Sequence, residues 1–220
     1  MERIPEPELM DDEAQARAYA EQDFSEANNL FLQLFRNLHP APVSGRALDL
    51  GCGPADITLG FARAYPECRI DGLDGAEEML GHGRLALQAD SDLDARVRLI
   101  CDRLPGEKLG TARYDHLLSN SLLHHLPDPS LLWETLQRLG HSGATVLVMD
   151  LFRPDSPAGV EHLVQAYAHD APEILRRDFR NSLFAAFTPA EVKEQIQQAG
   201  LSGLWVEQVS DRHLAAQGFL

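Results

Sequence analysis

Apolar positions along this chain repeat at helical spacing in some stretches and run unbroken in others, and the two kinds alternate. Two helical stretches, 11–23 and 25–38, come first. In the second, Ala27, Phe31, Leu34, Phe35 and Leu38 share one face, Ser25 is placed to cap its start, and Pro40 and Pro42 end it. Residues 47–50 then read as a buried strand. Further helices fall at 55–65, 76–88, 129–139 and 189–199. The helix at 129 has Asp128 as cap, Pro129 at its first position, Leu132, Leu136 and Leu139 inward and Gly140 as its stop. The helix at 189 carries a capping box, Thr188 with Glu191, and Gly200 at its end. Such alternation predicts an α/β fold with a parallel sheet covered on both faces.

One stretch exceeds what a sheet needs. Between 151 and 187 a few connecting residues would suffice, yet Val160, Leu163, Val164 and Tyr167 fall at helical spacing, followed by Ile174, Leu175 and Phe179. The expectation is a helical cap over the carboxyl ends of the strands, the edge where open α/β sheets bind ligands.

The chemistry begins at the first strand. Residues 46–56 read RALDLGCGPAD: a strand carrying Asp49 breaks at Gly51 and Gly53 into a helix. Two glycines there permit a tight turn and let backbone N–H groups approach a ligand closely. The next apolar segment ends in Asp74, about twenty residues on, where a carboxylate can grip a ribose diol. A dinucleotide site would want a third glycine at position 56. That position is Asp56, which sets a carboxylate against a pyrophosphate and disfavours NAD or FAD.

This D-x-G-x-G turn with a downstream acid resembles the first two motifs of the class I S-adenosylmethionine (SAM) methyltransferases. Further segments resemble that family in order and spacing from about position 45 to the C-terminus: VRLICD at 97–102 as third strand, YDHLLSNSLLHHLPDP at 114–129 as fourth strand and exit loop, ATVLVMD at 144–150 as fifth strand, and FTPAEV at 187–192. Ala55 departs from the pattern, since many members carry a glycine there. The resemblance implies a doubly wound, mostly parallel seven-stranded sheet (Rossmann-like) with an antiparallel C-terminal edge, 204–209 paired with 213–219. It also implies a cofactor set. Gly51 and Gly53 lie against the methionine part, Asp74 holds the ribose, Asp102 and Arg103 meet the adenine, and Ser119 and Asn120 line the path near sulfur. Asp49, Cys52, Gly75 and Met79 complete that set.

A sulfonium activates its own methyl group, so a base is needed only where the acceptor carries a proton that must leave. His124 and His125 at the fourth-strand exit are candidates, since imidazole titrates near neutral pH. Their other reading is as loop-ordering residues typical of the family. Tyr19, Asp150 and Arg153 are further candidates. For the acceptor, Arg176, Arg177 and Arg180 cluster in the cap, with Asn181 following and Tyr167 before them. Arginine's planar fork suits a carboxylate or phosphate; the alternative is a solvated face paired with Glu173 and Asp178.

Composition narrows the partners. A net charge of −15 over 220 residues repels phosphate backbones, so a small-molecule acceptor is expected and nucleic acid is not. Length suits one domain over 1–220, comprising N-terminal helices (1–42), the sheet and the cap (151–187). The 3 cysteines without C-x-x-C read as reduced thiols; with no secretory pattern and no long apolar run, a cytoplasmic location is expected. No metal site is expected. The readings kept open are methyl transfer to a small acceptor, a cyclase or lyase consuming SAM itself, a nicotinamide-dependent oxidoreductase, and a non-catalytic SAM-binding module.

Overall fold

The computed structural model describes residues 1–6, 12–40 and 42–220; position 11, the expected start of the first helix, lies outside them. The elements in chain order are α1 (Glu13–Glu21), α2 (Ser25–Leu38), β1 (Gly45–Leu50), α3 (Asp56–Ala64), β2 (Cys68–Asp74), α4 (Glu77–Gln88), the short α5 (Ser91–Asp94), β3 (Val97–Cys101), β4 (Tyr114–Asn120), α6 (Ser130–Leu139), β5 (Gly140–Leu151), α7 (Pro157–Ala168), α8 (Glu173–Ala185), α9 (Pro189–Gln198), β6 (Leu204–Gln208) and β7 (His213–Phe219). Seven strands form one sheet in the order β3-β2-β1-β4-β5-β7-β6. The strands β1 to β5 pair in parallel; β7 runs antiparallel to both β5 and β6. The C-terminal hairpin forms that edge as expected, with β7 inserted so that β6 is outermost.

Strand alternation builds two cores. Leu48, Leu50, Leu117, Val146 and Val148 face α6 and α9, meeting Leu132, Leu136, Val192 and Ile196. Their neighbours Ala47, Leu118, Leu147 and Met149 face Phe31, Phe35 and Phe61 of α2 and α3. Both faces are covered, which is why these strands read as unbroken apolar runs. Helix ends agree with the sequence to within a residue or two, and the Thr188–Glu191 capping box forms. Two caps differ. Ser25 is the first helical residue and not the cap, its N–H bonded to Asp23 Oδ1 at 2.8 Å. Asp128 does cap α6, accepting from Ser130 N, but from one residue further out.

The expected cap is the pair α7 and α8, packed through Val160, Leu163, Val164 and Leu183. A lone bridge between Phe152 and Phe187 pins both its ends to the sheet. Residues 1–6 form an unforeseen strap across it. Ile4 N–H donates to Phe184 O (3.0 Å), and the Arg3 guanidinium reaches the carbonyls of Ala185, His124 and Leu126 while lying 4.0 Å from the Phe187 ring. Among the described residues no helix is long and apolar enough to cross a membrane.

Candidate active site

The strand order reverses between β1 and β4, and a crevice opens beyond the strand ends there, as topology requires. Its floor is the turn 51–55. Gly51 and Gly53 both take positive φ, +72° and +53°. A Cβ on Gly51 would stand 2.9 Å from Leu122, whereas one on Gly53 would meet only Met79 Cε at 3.5 Å, an ordinary van der Waals contact. The first glycine serves packing and the second serves approach. Ala55 also takes positive φ (70°), a conformation that costs an alanine about 1–2 kcal/mol. Ala55 thus holds the left-handed conformation that a glycine would take without that cost.

Three acids surround this turn. Asp74 Oδ2 accepts from Gly53 N at 2.7 Å and Oδ1 from Ala76 N at 2.8 Å, so the second-strand acid braces the glycine turn itself. Asp49 is buried; its Oδ2 accepts from Thr58 Oγ1 at 2.6 Å, while Oδ1 has no hydrogen-bond partner among the described residues. Burial pushes the Asp49 carboxyl up to about 7; the Thr58 hydroxyl opposes that and the Asp74 charge adds to it. Asp102 accepts the N–H groups of Arg103 and Lys108 and thereby shapes the loop after β3.

These residues share one cavity of about 750 Å³ that continues past Asn120 to the cap, a size within the usual range for small-molecule sites, about 300–1,000 Å³. Asp49, Gly51, Cys52, Gly53, Asp74, Gly75, Met79, Asp102, Arg103 and Asn120 all line it. Asn120 Oδ1 is buried with no hydrogen-bond partner among the described residues. Ser119 lies elsewhere: wholly buried, its hydroxyl donates to Leu50 O and ties β4 to β1.

At the far end the wall comes from the strap, α1, the exit of β4 and α8. His124 is buried between two carboxylates. Asp150 Oδ1 lies 2.5 Å from its Nδ1, and Glu6 Oε1 lies 3.4 Å from its Nε2. Burial alone would lower the imidazole's pKa, but Asp150 and Glu6 outweigh that and raise it. Burial likewise raises Glu6. Tyr19 lines the cavity against Phe24. Burial and the charges of Asp56, Asp74 and Asp150 push its phenol well above the usual range.

The arginine clamp does not assemble. Arg180 forms a two-pronged pair with Glu161 (2.6 and 2.8 Å) on the outer face of the cap, and Arg176 points to His169 O. Neither lines the cavity; Arg177, Asn181 and Tyr167 do. Arg153 is buried behind the strap, bonded to Met1 O, Ala186 O and Glu191, where it anchors the N-terminus. Sequence reading missed Glu6 and Arg212. Arg212 is buried at the cavity rim, its guanidinium 3.5 Å from the Tyr167 ring, with Tyr167 Oη bonded to Asp211. Glu6 carried no signal, because it belongs to no element and meets its partners only through the strap.

Comparisons with known proteins agree with this layout. A family model described as "Methyltransferase domain" matches residues 48–146, from β1 into β5. A trans-aconitate 2-methyltransferase of Variovorax paradoxus is 32% identical over 136 residues, 60% of this chain and 48% of that protein. A ubiquinone biosynthesis O-methyltransferase of Xylella fastidiosa is 26% identical over 167 residues, 73% and 62% of the two chains. The chain spans about half the length of the trans-aconitate enzymes it matches. Among solved structures, the plantazolicin methyltransferase BamL, in complex with a substrate analogue and SAH, superposes with a TM-score of 0.74 over 94% of this chain and 90% of that one, at 11% identity. A SAM-dependent methyltransferase from Aquifex aeolicus gives 0.66 over 94% and 98%, at 15% identity. The glycine turn and the second-strand acid lie within the stretch that the methyltransferase domain model matches, from β1 into β5, and the chain as a whole shares the fold of SAM-dependent methyltransferases.

Proposed function

We propose that the protein transfers a methyl group from SAM to an oxygen-bearing small molecule seated between the strap, α1 and α8. The observation that carries this is the buried Asp49 Oδ1, which faces the cavity without a hydrogen-bond partner among the described residues. An unpaired buried carboxylate oxygen is costly, and a cationic amino acid moiety satisfies it. Asp74 would take the ribose hydroxyls, and the loop after β3 the adenine. When bound, SAM supplies a methyl carbon already activated by its sulfonium. The chain's part is to align and desolvate, which can contribute about 7–11 kcal/mol to the barrier. Relatives named for trans-aconitate and for O-methylation support an oxygen-bearing acceptor. The outward-facing Arg180 and Arg176 remove the reason to require an anion.

Thermal denaturation with SAM, S-adenosylhomocysteine and NAD tests the reading. A ligand at a hundredfold excess over Kd stabilises by about 2.7 kcal/mol, which for a chain of this size is roughly 5–11 °C in Tm. The adenosyl compounds should give that shift and NAD none; the reverse pattern sinks the proposal. Release of S-adenosylhomocysteine only when an acceptor is added separates methyl transfer from a SAM cyclase, a lyase or a silent binding module.

Asp49 also gives the binding a pH signature. Its carboxyl, near 7 in the free protein, is lowered once a cation lies against it, so binding releases a proton and tightens as pH rises. SAM affinity should fall below pH 7, approaching tenfold per unit. Asp49→Asn should bind more weakly and lose this slope; a wild-type affinity flat between pH 5 and pH 7 would show that Asp49 does not meet the cation.

A further inference from the structure

We infer that Glu6, His124 and His125 form a binding site for one divalent transition-metal ion of the zinc type, in the wall of the acceptor chamber. All three line the cavity, and their ligand atoms lie within 4.8 Å of one another. Glu6 Oε1 stands 3.4 Å from His124 Nε2 and 3.3 Å from His125 Nδ1. A charge-assisted N–H···O bond would be about 2.7–2.9 Å. Bonds of about 2.0–2.2 Å to a common tetrahedral ion set ligand atoms roughly 3.3–3.6 Å apart. The spacing matches ligands around an ion better than hydrogen-bonded pairs.

The surroundings are those of a supported metal site. Asp150 holds His124 Nδ1 at 2.5 Å, which fixes the tautomer and turns the Nε2 lone pair toward Glu6. A metal-bound imidazole is commonly held this way, by a carboxylate on its other nitrogen. Ser182 Oγ donates to Glu6 Oε1 at 3.0 Å and fixes that carboxylate in turn. Charge points the same way. Glu6 and Asp150 are two carboxylates flanking one buried ring, and the nearby Arg3 directs its donors to backbone carbonyls. A dication balances the pair.

Two imidazoles and one carboxylate leave coordination positions open, which distinguishes a reactive zinc site from a closed structural one. The open side faces the cavity, where the ion would take an oxygen of the acceptor. That role rests on the methyltransferase reading; the binding of the ion does not.

The test is titration of the intact 220-residue chain, stripped with chelator, with Zn²⁺, and with Co²⁺ as a spectroscopic probe. One equivalent should bind, Co²⁺ should show the visible bands of a low-coordinate site, and Glu6→Gln and His125→Gln should each weaken binding by at least about a hundredfold, beyond what loss of an outer-shell partner costs. His169→Ala, which removes the exposed His169–Asp170 pair, should change nothing. Thermal shift by S-adenosylhomocysteine should be equal in wild type and Glu6→Gln, which verifies folding and keeps the two readings apart. Binding that is absent from wild type, or unchanged in both cluster variants, overturns the metal site and leaves a proton as the charge His124 carries between its two acids. Failure of wild type to bind S-adenosylhomocysteine would instead overturn the cofactor reading.

Discussion

Replacing Asp74 with alanine should raise the Kd for S-adenosylhomocysteine about ten- to a hundredfold while the protein stays folded. Hydrogen bonds to a charged acceptor contribute about 1.5–3 kcal/mol, and each 1.4 kcal/mol is about tenfold. The structure adds a second route to the same loss, since Asp74 also holds the N–H groups of Gly53 and Ala76. Without it the glycine turn, proposed to lie against the cofactor, loses its brace. Asp74→Asn keeps one acceptor oxygen and should fall between alanine and wild type. Asp74 ends its strand and is only partly buried, so the cores on either side of the sheet are untouched. Calorimetry on the two variants decides the matter; wild-type affinity in folded Asp74→Ala would place the ribose-binding acid elsewhere.

The largest stability loss should come from Asp150→Ala, about 3–5 kcal/mol, the range for breaking a buried pair by removing one partner. Asp150 is buried, and its two oxygens accept from His124 Nδ1, His124 N and Leu151 N. Alanine leaves the imidazole and two backbone donors without their acceptor. For a chain of this size that is roughly 6–20 °C in Tm. His124→Ala in the Asp150→Ala background should cost less than the sum of the two single changes, because the groups act on each other. Additive losses would mean that the 2.5 Å contact carries no coupling.

The sheet was legible because its strands are buried on both faces and their apolar runs stand out from the helices between them. The start of β5 was not, since Gly140 to Gly143 carry no apolar pattern and become strand only by pairing with the neighbouring β4. The candidates on the cofactor side, Ser119 apart, come together at one cavity for a related reason: they sit at strand ends and turns, at fixed offsets from the glycines. Ser119 shows the limit of that logic, because alternation sends it to the buried face and leaves Asn120 at the cavity. The acceptor half was read least well. Helical spacing correctly put Arg176 and Arg180 on a shared side of α8, but it could not tell which side meets the cavity. That was decided by Glu161, 19 positions earlier in α7. Asp178, named in the solvated-face alternative, pairs with Arg177 at 3.2 Å and not with Arg180.

The strap has a consequence for the order in which the molecule is assembled. Arg3 is joined to partners 121 to 182 positions away, whereas the glycine turn, Asp74 and the loop after β3 belong to adjacent strands. Contacts between distant positions repay their loop-closure entropy only late in folding. The nucleoside crevice can therefore form while residues 1–6 are still undocked, before Glu6 has reached the two histidines. A molecule in that state would hold its sulfonium beside an open chamber, where water has the same access to the methyl carbon as any acceptor. On the proposed reading, docking of the first six residues is the step that closes the acceptor chamber beside the sulfonium.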